Sequence, residues 1–173
     1  MQNILEDLFS SFSIYFDRPF EIGDFIVTGS HSGTVSKIGL KTTRIQALQG
    51  EEIVISNKEL TTSRIQNFKK MKERRVPIMI GTTYDTPNEK LEKIPGIVEE
   101  ICTHNDLIRL DRVNFFNFSA SSLDYEIILF FSTGDYNSYM AAREQFNLEL
   151  KAEFEKAGID FAFPTQTLYL SKD

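Results

Sequence analysis

The sequence has few of the residues that stabilise small secreted proteins or bind metals. Cys102 is the one cysteine among 173 residues, so the chain cannot form an internal disulfide and has no cysteine pair for a zinc site. We interpret Cys102 as a small buried hydrophobic residue in a reducing compartment. No apolar run reaches the roughly 20 residues that cross a bilayer, and no basic segment precedes an apolar stretch. The chain as given is therefore predicted to be soluble and without a secretory signal.

Sequence patterns of the common catalytic and cofactor sites are also missing. The chain contains no H-E-x-x-H motif, P-loop or dinucleotide-binding glycine pattern. His31 falls in a predicted turn and His104 at a predicted helix end, so neither is expected to bind a metal. The adjacent carboxylates of Glu51-Glu52 and Glu99-Glu100 point in different directions on a strand or helix and cannot flank one substrate. We predict that the protein is not an enzyme and binds no metal or cofactor.

Charge is unevenly distributed along the chain. The formal net charge is −6, and 41% of the residues are hydrophobic, which is typical of a folded globular protein. Basic residues outnumber acidic ones between Arg18 and Arg75, whereas acidic residues outnumber basic ones twofold from Val76 onward. This change of sign marks a first candidate domain boundary at Arg75.

Residues 1–17 are predicted to form an amphipathic helix. Their apolar members recur at helical spacing: Ile4, Leu5, Leu8, Phe9, Phe12, Tyr15 and Phe16. No cap or turn precedes this pattern, so it is typical of the end of a longer helix. Arg18-Pro19 ends the helix, because the residue before a proline is excluded from helical backbone angles.

Residues 18–70 have the short, β-branched runs of a strand-rich domain. The runs cover 24–27, 33–38, 42–45 and 52–56, and glycine-containing turns separate them. Because nothing helical lies between them, they predict a small antiparallel β-barrel. A basic connector, residues 69–75, follows the barrel.

Residues 71–162 alternate strands with helices. Strands at 76–80, 113–119, 123–132 and 159–161, with helices after Asp85-Thr86-Pro87 and Asp135, predict the ferredoxin-like order of an α/β domain. We expect Pro95-Gly96 to split the first helix near Ile94, and Asp135 and Gly158 to cap the second. Residues 163–173 form a further predicted strand, without a partner inside the domain. The predicted fold class is α+β.

Short motifs follow one another in a specific order along nearly the whole chain. In the first half they are Asp17-Arg18-Pro19-Phe20-Glu21-Ile22-Gly23-Asp24, Gly33-Thr34-Val35, Thr42-Thr43, Gly50, Ile53-Val54-Ile55-Ser56-Asn57 and Asn67-Phe68. In the second half they are Ile80-Gly81, Tyr84-Asp85, Leu123, Gly134-Asp135, Ala157-Gly158-Ile159 and Phe163-Pro164-Thr165-Gln166-Thr167. In this order the motifs resemble the small-conductance mechanosensitive channel (MscS) family. Ser56 and Ala162 stand where that family usually has proline.

The resemblance implies that the chain is part of an ion channel. Family members are homoheptamers with a small Sm-like middle barrel, an α/β domain, and C-terminal strands that join in a parallel barrel at the base. This chain would then be the vestibule on the cytoplasmic side of the inner (cell) membrane. The full-length channel would open under membrane tension and release ions and small osmolytes. Its membrane-spanning helices and gate would lie outside these residues.

The resemblance also implies residue roles. The end of the pore-lining helix would include Leu5, Leu8 and Phe12. The joint between helix and barrel would consist of Arg18, Pro19, Phe20, Gly23 and Asp24, and the barrel motif of Gly33, Asn57 and Asn67. The connector beside the side portals would supply Lys69, Lys70, Lys72, Arg74 and Arg75. The base strand would include Phe163, Pro164 and Gln166.

An Sm-like RNA-binding or protein-interaction module is the alternative interpretation. A small barrel with a basic cluster also describes RNA-binding proteins. The acidic second half would repel a phosphate backbone, so we expect no nucleic acid. Phe115, Phe116 and Phe118 are expected to pack in a core rather than to stack on bases.

Overall fold

The computed structural model describes residues 2–169, with side chains from residue 8 onward. The chain divides into two compact units, Met1–Met71 and Lys72–Asp173. Each unit combines helices with a β-sheet, so the predicted α+β class is confirmed.

The first unit is an antiparallel sheet preceded by one helix. Helix α1 spans Gln2–Asp17, as its apolar spacing predicts. The elements that follow it are β1 (Phe25–Thr28), β2 (His31–Ile38), β3 (Thr42–Gln46), β4 (Glu52–Ser56), α2 (Asn57–Thr62) and β5 (Ile65–Asn67). Alternate strand residues point inward and pack against Ile14 of α1 and Phe20, forming a core that includes Ile26, Val35, Ile45, Ile55 and Leu60.

The sheet of the first unit does not close into the predicted barrel. Its strand order is β4-β3-β2-β1-β5, and β4 and β5 are not paired with each other in the part of the chain that the structure describes. The chain passes from β4 directly into α2, and β5 has only three residues, all paired with β1. Because β4 and β5 do not pair, both edges of the sheet are open.

The second unit is a three-stranded antiparallel sheet that packs against helices. Its elements are β6 (Arg74–Thr82), α3 (Asn88–Leu91), α4 (Ile94–Cys102), β7 (Ile108–Phe118), β8 (Leu123–Phe131) and α5 (Tyr136–Ala157), and the strand order is β6-β8-β7. The core lies between β8 and the helices, and α5 contributes Tyr139, Ala142, Phe146, Leu150 and Phe154 at helical spacing. Cys102 is buried in this core, where burial and the nearby Glu99 carboxylate raise the pKa of its thiol to about 11.

The helix ends of the second unit follow the sequence signals with one exception. The chain breaks into α3 and α4 just before Ile94, and Pro95 lies in the first turn of α4, where its missing N–H costs nothing. The Asp135 carboxylate accepts a hydrogen bond from the Ser138 N–H at 2.7 Å, and Gly158 ends α5 with a φ of 64°. The exception is the start of α3: Asp85-Thr86-Pro87 is typical of a polar cap followed by a proline at the first helical position, but Pro87 itself occupies the cap position and no side chain caps the helix.

The predicted strands at the end of the chain do not form in the described residues. The strand expected at 159–161 is reduced to one antiparallel bridge, Thr82 with Phe161, at the free edge of β6. Residues 163–169 have no strand assignment and are exposed, among them Phe163, Pro164 and Gln166. A strand needs a neighbouring strand to pair with, and in the described part of the chain this segment has only an isolated hydrogen bond, from the Thr165 N–H to Ser121 Oγ at 3.4 Å.

Two local predictions were wrong. Phe115, Phe116 and Phe118 do not pack in a core, since they are 41%, 63% and 69% exposed. A bulge between Phe115 and Asn117 breaks the alternation of β7 and brings the rings of Phe115 and Phe118 into edge contact near the strand end. His31 is the first residue of β2 rather than part of a turn.

The Phe154→Ala variant tests the core of the second unit. The Phe154 ring is fully buried and stacks on Phe161 at 4.9 Å between centroids. We expect a loss of about 3–5 kcal/mol in the free energy of unfolding, measured by chemical denaturation. Leu148→Ala is the matched control, because Leu148 lies on the same helix and is 63% exposed. Equal losses for the two variants would contradict this placement of the core.

Candidate functional site at the end of the N-terminal helix

Helix α1 ends in a strained turn that the sheet holds in place. Arg18 has a φ of 45°, a backbone conformation that residues other than glycine seldom adopt. Its N–H still donates to the Ile14 carbonyl at 3.1 Å, and Pro19 prevents further helix. Phe20, two residues on, is fully buried in the core of the first unit. The turn therefore fixes where the chain leaves the helix and enters the sheet.

The carbonyl groups of the two residues after α1 receive hydrogen bonds from the last residue of β5 and from the turn that follows it. Lys70 Nζ donates to the Arg18 carbonyl at 2.6 Å, and Asn67 Nδ2 donates to the Pro19 carbonyl at 3.1 Å. Both carbonyls lie beyond the last residue of α1, and the Lys70 cation near the C-terminal end of the helix also interacts favourably with the helix dipole. These two hydrogen bonds, between residues 48 and 52 positions apart in the sequence, join the end of the helix to the sheet.

Asp24 is the acidic centre of this junction. Its side chain is only 5% exposed and accepts hydrogen bonds from the Glu21 N–H at 3.0 Å and from Asn67 Nδ2 at 2.7 Å. The Lys69 ammonium lies 3.5 Å from its other oxygen. Burial raises the pKa of Asp24, but these hydrogen bonds and the Lys69 charge outweigh burial and leave the pKa below its ordinary value.

Asn67 connects three parts of the junction. Its amide nitrogen donates to both Pro19 and Asp24, while its oxygen accepts from the backbone N–H groups of Lys69 and Lys70 at 3.1 and 3.4 Å. An aspartate at this position would lack the two donors. The Asn67 amide therefore joins the helix end, the Asp24 carboxylate and the turn after β5 to one another.

A second attachment lies in the middle of α1. Asn57 is completely buried, its oxygen accepts from Thr43 Oγ1 at 2.9 Å, and its nitrogen donates to the Gly39 carbonyl at 2.8 Å. The same nitrogen donates to Ser11 Oγ at 3.1 Å, and that hydroxyl donates to the Leu40 carbonyl. All the polar groups of Asn57 are thereby satisfied, as burial requires. The helix is fixed to the sheet at Ser11 as well as at its end.

Two glycines permit the close packing of this unit. A Cβ on Gly33 would lie 2.4 Å from the Gln46 carbonyl oxygen and 2.6 Å from the Ile45 side chain, so β2 and β3 could not keep their spacing. Gly23 has a φ of +90°, which favours glycine, and its N–H donates to the Val35 carbonyl at 2.8 Å. Both positions resist substitution for backbone reasons.

The structure divides the predicted connector between the two units. Lys69 and Lys70 are engaged in the junction, whereas Lys72, Arg74 and Arg75 belong to the second unit. The Arg74 guanidinium lies 4.8 Å from the centre of the Tyr139 ring, a cation–π contact. Lys72 and Arg75 are exposed. The basic cluster is thus largely a set of structural contacts rather than one continuous basic surface.

The predicted pore-helix residues differ in exposure. Leu8 is half-buried and Phe12 is 55% exposed, while the side chain of Leu5 lies outside the described residues. Ser11, whose hydroxyl attaches α1 to the sheet, had no predicted role. Its position one helical turn before the buried Ile14 could have indicated a sheet-facing side chain.

No metal or membrane-spanning feature occurs in residues 2–169. The described side chains contain no group of three His, Cys, Asp or Glu residues that could hold a metal ion. The described helices are too short or too polar to cross a bilayer. His104 Nδ1 lies 2.7 Å from the Glu149 carboxylate. This hydrogen bond, together with one from Gln145, lowers the pKa of Glu149. This pair joins the end of α4 to α5.

Two family models match the chain in order. Residues 3–70 match the mechanosensitive ion channel β-domain, and residues 76–161 match the MscS C-terminal domain. The small-conductance mechanosensitive channel MscMJ of Methanocaldococcus jannaschii is 36% identical over the whole chain and half of its own length. The low conductance mechanosensitive channel YnaI of Escherichia coli is 32% identical over 98% of the chain and half of its own length. The chain thus spans about half the length of these relatives, which are named as channels and not as enzymes.

Solved structures share the fold. Arabidopsis thaliana MSL1 aligns with 93% of this chain and 59% of its own, with a TM-score of 0.80 at 21% identity. The closed state of Helicobacter pylori MscS aligns with 98% of this chain and 66% of its own, with a TM-score of 0.77 at 19% identity. At these identities the likeness concerns the fold alone.

The Asp24→Asn variant tests the acidic centre of the junction by its pH dependence. The folded-state pKa of Asp24 lies below its unfolded value, so the carboxylate stabilises the fold above about pH 4, and this contribution is lost as pH falls through the folded value. At pH 7 we expect the variant to lose about 1.5–3 kcal/mol in the free energy of unfolding, and the difference from wild type to shrink below pH 4. Chemical denaturation across pH measures both.

Glu51→Gln is the control for this variant, because Glu51 is an exposed carboxylate in the same unit. A difference between Asp24→Asn and wild type that stayed constant down to pH 3 would contradict the role of the charge.

Proposed function

Because the chain belongs to the mechanosensitive ion channel (MscS) family, we propose that it forms the vestibule beside the pore of a tension-gated channel. The channel would release ions and small osmolytes when membrane tension rises. The observation that carries this proposal is the 36% identity to a small-conductance mechanosensitive channel over the whole chain. In the complete protein, membrane-spanning helices would place this part on the cytoplasmic side of the cell membrane.

The junction at the end of α1 transmits helix movement to the sheet in this proposal. Two hydrogen-bonded attachments, at Ser11 and at Arg18-Pro19, join the helix to the first unit. A rotation of the helix has to break these contacts or carry the sheet along, because packed elements move as bodies. Tilting of the pore-lining helix would therefore be resisted by Asn57, Asn67 and Lys70.

The unsatisfied strand edges support assembly from several copies. Strands β4 and β5 are both edges of the first sheet, and residues 163–169 extend without a strand partner. Exposed edges bind further strands readily. We propose a homo-oligomer, a heptamer by resemblance, in which the first units form a ring and the tails of all copies form a parallel base barrel. The single bridge between Phe161 and Thr82 of β6 would occupy the place of the last strand of a ferredoxin-like domain.

Charge in the vestibule would come mainly from the second unit. From Val76 onward acidic residues outnumber basic ones twofold, so cations would accumulate near this unit. Lys72 and Arg75, exposed at the start of the second unit, would be the basic groups nearest the proposed side portals. Lys69, Lys70 and Arg74 would contribute less, because the contacts described above engage them.

Osmotic survival tests the proposed function. We expect the full-length protein, expressed in Escherichia coli lacking its own mechanosensitive channels, to restore survival after a hypo-osmotic shock. Suction on membrane patches from these cells should open single channels. Vector-only cells are the control. Good expression in the membrane without currents under suction would refute the channel function.

Ser11→Ala and Pro19→Ala test the coupling role in the full-length channel. Ser11→Ala removes hydrogen bonds worth about 1 kcal/mol each from the attachment of α1, so the helix should tilt at lower suction. Pro19→Ala should relax the turn after the helix and shift the threshold as well. Patch recordings measure the opening threshold and the desensitisation under sustained suction.

Ser36→Ala is the matched control for coupling, because the Ser36 hydroxyl donates to Arg44 within the sheet and does not contact α1. If Ser11→Ala and Pro19→Ala both leave the opening threshold and the desensitisation unchanged, the proposed coupling role is wrong.

A further inference from the structure

Two tyrosine rings of α5 pack against one arginine at the start of β6. The Arg74 guanidinium lies 5.8 Å from the centre of the Tyr136 ring and 4.8 Å from that of the Tyr139 ring. The two rings also contact each other, with 5.8 Å between centroids, and Phe131 of β8 packs edge-on against Tyr139. Aromatic faces attract a guanidinium and restrict its orientation. Packing therefore holds the Arg74 side chain in a defined position.

The N–H groups of Arg74 have no acceptor in the described part of the chain. Its Nε atom is buried and unpaired, which is true of no other side-chain nitrogen or oxygen atom in residues 8–169. Ring contacts use the face of a guanidinium and leave the N–H groups at its edge free. The two terminal nitrogens are not buried, so they are accessible from solvent. Because native proteins seldom leave a held guanidinium without any acceptor, these N–H groups indicate a ligand from outside the chain.

A second guanidinium contacts the same tyrosine. Arg143 lies one helical turn after Tyr139 on α5, and its Nη1 donates to the Tyr139 hydroxyl at 2.9 Å. The hydroxyl is neutral, so this hydrogen bond does not balance the charge of Arg143. Arg143 is half-buried, as Arg74 is, and neither forms an ion pair with a described carboxylate. Two uncompensated positive charges therefore meet at one side chain, one at its ring and the other at its hydroxyl.

The acidic residues closest in sequence to these contacts are engaged elsewhere. Glu73 directly precedes Arg74, but both of its carboxylate oxygens bind Arg109, at 3.2 and 3.1 Å. The Asp135 carboxylate accepts a hydrogen bond from the Ser138 N–H and so caps its own helix. The second unit is acidic as a whole, but charges farther away than about 8 Å are largely screened at physiological salt. The local charge at Tyr139 is therefore set by the two arginines.

We propose that Arg74 and Arg143 bind a phosphate group, either inorganic phosphate or the phosphate of a small metabolite. A carboxylate pairs through its two oxygens with one arginine, whereas a phosphate group has more acceptor oxygens and more charge, so it can pair with both. The inference goes beyond the proposed channel function and does not depend on conduction, so the two stand or fall separately.

A bound phosphate would join β6 to α5 at the start of the second unit. It would offset the repulsion between the two arginines and bind only the folded chain, so it would stabilise the unit by mass action. Charge pairs that remain open to solvent are weak, and we expect a dissociation constant of roughly 1 mM. The site would then respond to changes of phosphate concentration in the millimolar range.

Thermal unfolding of the purified full-length channel tests the inference. The midpoint is measured in sodium phosphate up to about 10 mM and in sodium chloride of equal ionic strength. We expect phosphate to raise the midpoint by about 2–4 °C more than chloride does. Arg74→Lys keeps the charge but loses the planar fork, and Arg143→Gln loses the charge, so each should weaken phosphate binding by roughly fivefold or more.

Arg112→Gln is the matched control, because Arg112 is an exposed arginine of the same unit whose partners are Asp111 and Glu126. It should respond to phosphate as the wild type does. Sodium glutamate, tested as a carboxylate, should raise the midpoint by less than about half as much. An equal effect of glutamate would overturn the inference. Phosphate binding of wild-type strength in both Arg74→Lys and Arg143→Gln would do the same.

Adenosine monophosphate in place of inorganic phosphate distinguishes the two sources of the phosphate group. Its base could stack on the Tyr136 ring, which is 60% exposed. A midpoint shift at lower concentrations than inorganic phosphate requires would identify a phosphorylated metabolite as the ligand. A shift only at equal or higher concentrations would identify inorganic phosphate. Either result supports the site, and no shift with either compound refutes it.

Chemical modification locates the site in the wild-type channel. Phenylglyoxal, which reacts with accessible arginine side chains, is applied with and without phosphate, and mass spectrometry follows each arginine. We expect phosphate to slow the modification of Arg74 and Arg143 by roughly threefold or more and to leave that of the exposed Arg75 unchanged. Equal protection of all three arginines would overturn the inference. So would a lack of reaction at Arg74 and Arg143 without phosphate, because another protein surface would then cover them.

Discussion

The carbonyl groups of the two residues that follow the N-terminal helix need hydrogen-bond donors, and the first unit supplies them. The helix cannot continue past Pro19, and Arg18 adopts a left-handed backbone conformation at that point. Lys70 and Asn67, from the far end of the same unit, donate to the exposed carbonyls. Asp24 holds Asn67 and Lys69 in position. These contacts hold the end of the helix, the residue before β1 and the end of β5 together at one place.

Polar side chains, rather than apolar ones, define how the helix sits on the sheet. Apolar packing of Ile14 and Phe20 supplies burial but tolerates small rotations. The fully satisfied amide of Asn57 admits one arrangement, since an unpaired buried amide group costs about 1–3 kcal/mol. In the proposed channel, a joint that transmits movement would need this kind of discrete geometry, and hydrogen bonds at both attachments supply it.

Features left unsatisfied in one chain point to neighbouring copies. The first sheet has two open edges, residues 163–169 extend without a strand partner, and Phe9, Phe12 and Phe16 of α1 are exposed. In an isolated protein each would promote aggregation. In the proposed ring of identical chains, neighbouring copies would cover these features, which would then serve as assembly surfaces of the vestibule.

The sequence by itself determined the elements with local causes. Proline and glycine positions, cap residues and helical spacing predicted the end of α1, the break before α4, the buried face of α5 and its caps at Asp135 and Gly158, and ordered motifs indicated the family. Tertiary structure alone decided the rest. No local signal joins Ser11 to Asn57 or Lys70 to Arg18, because those contacts depend on strand order. The open sheet, the exposure of Phe118 and the tail without a strand likewise depend on which neighbours a segment finds in the fold, and the sequence of one segment does not carry that information.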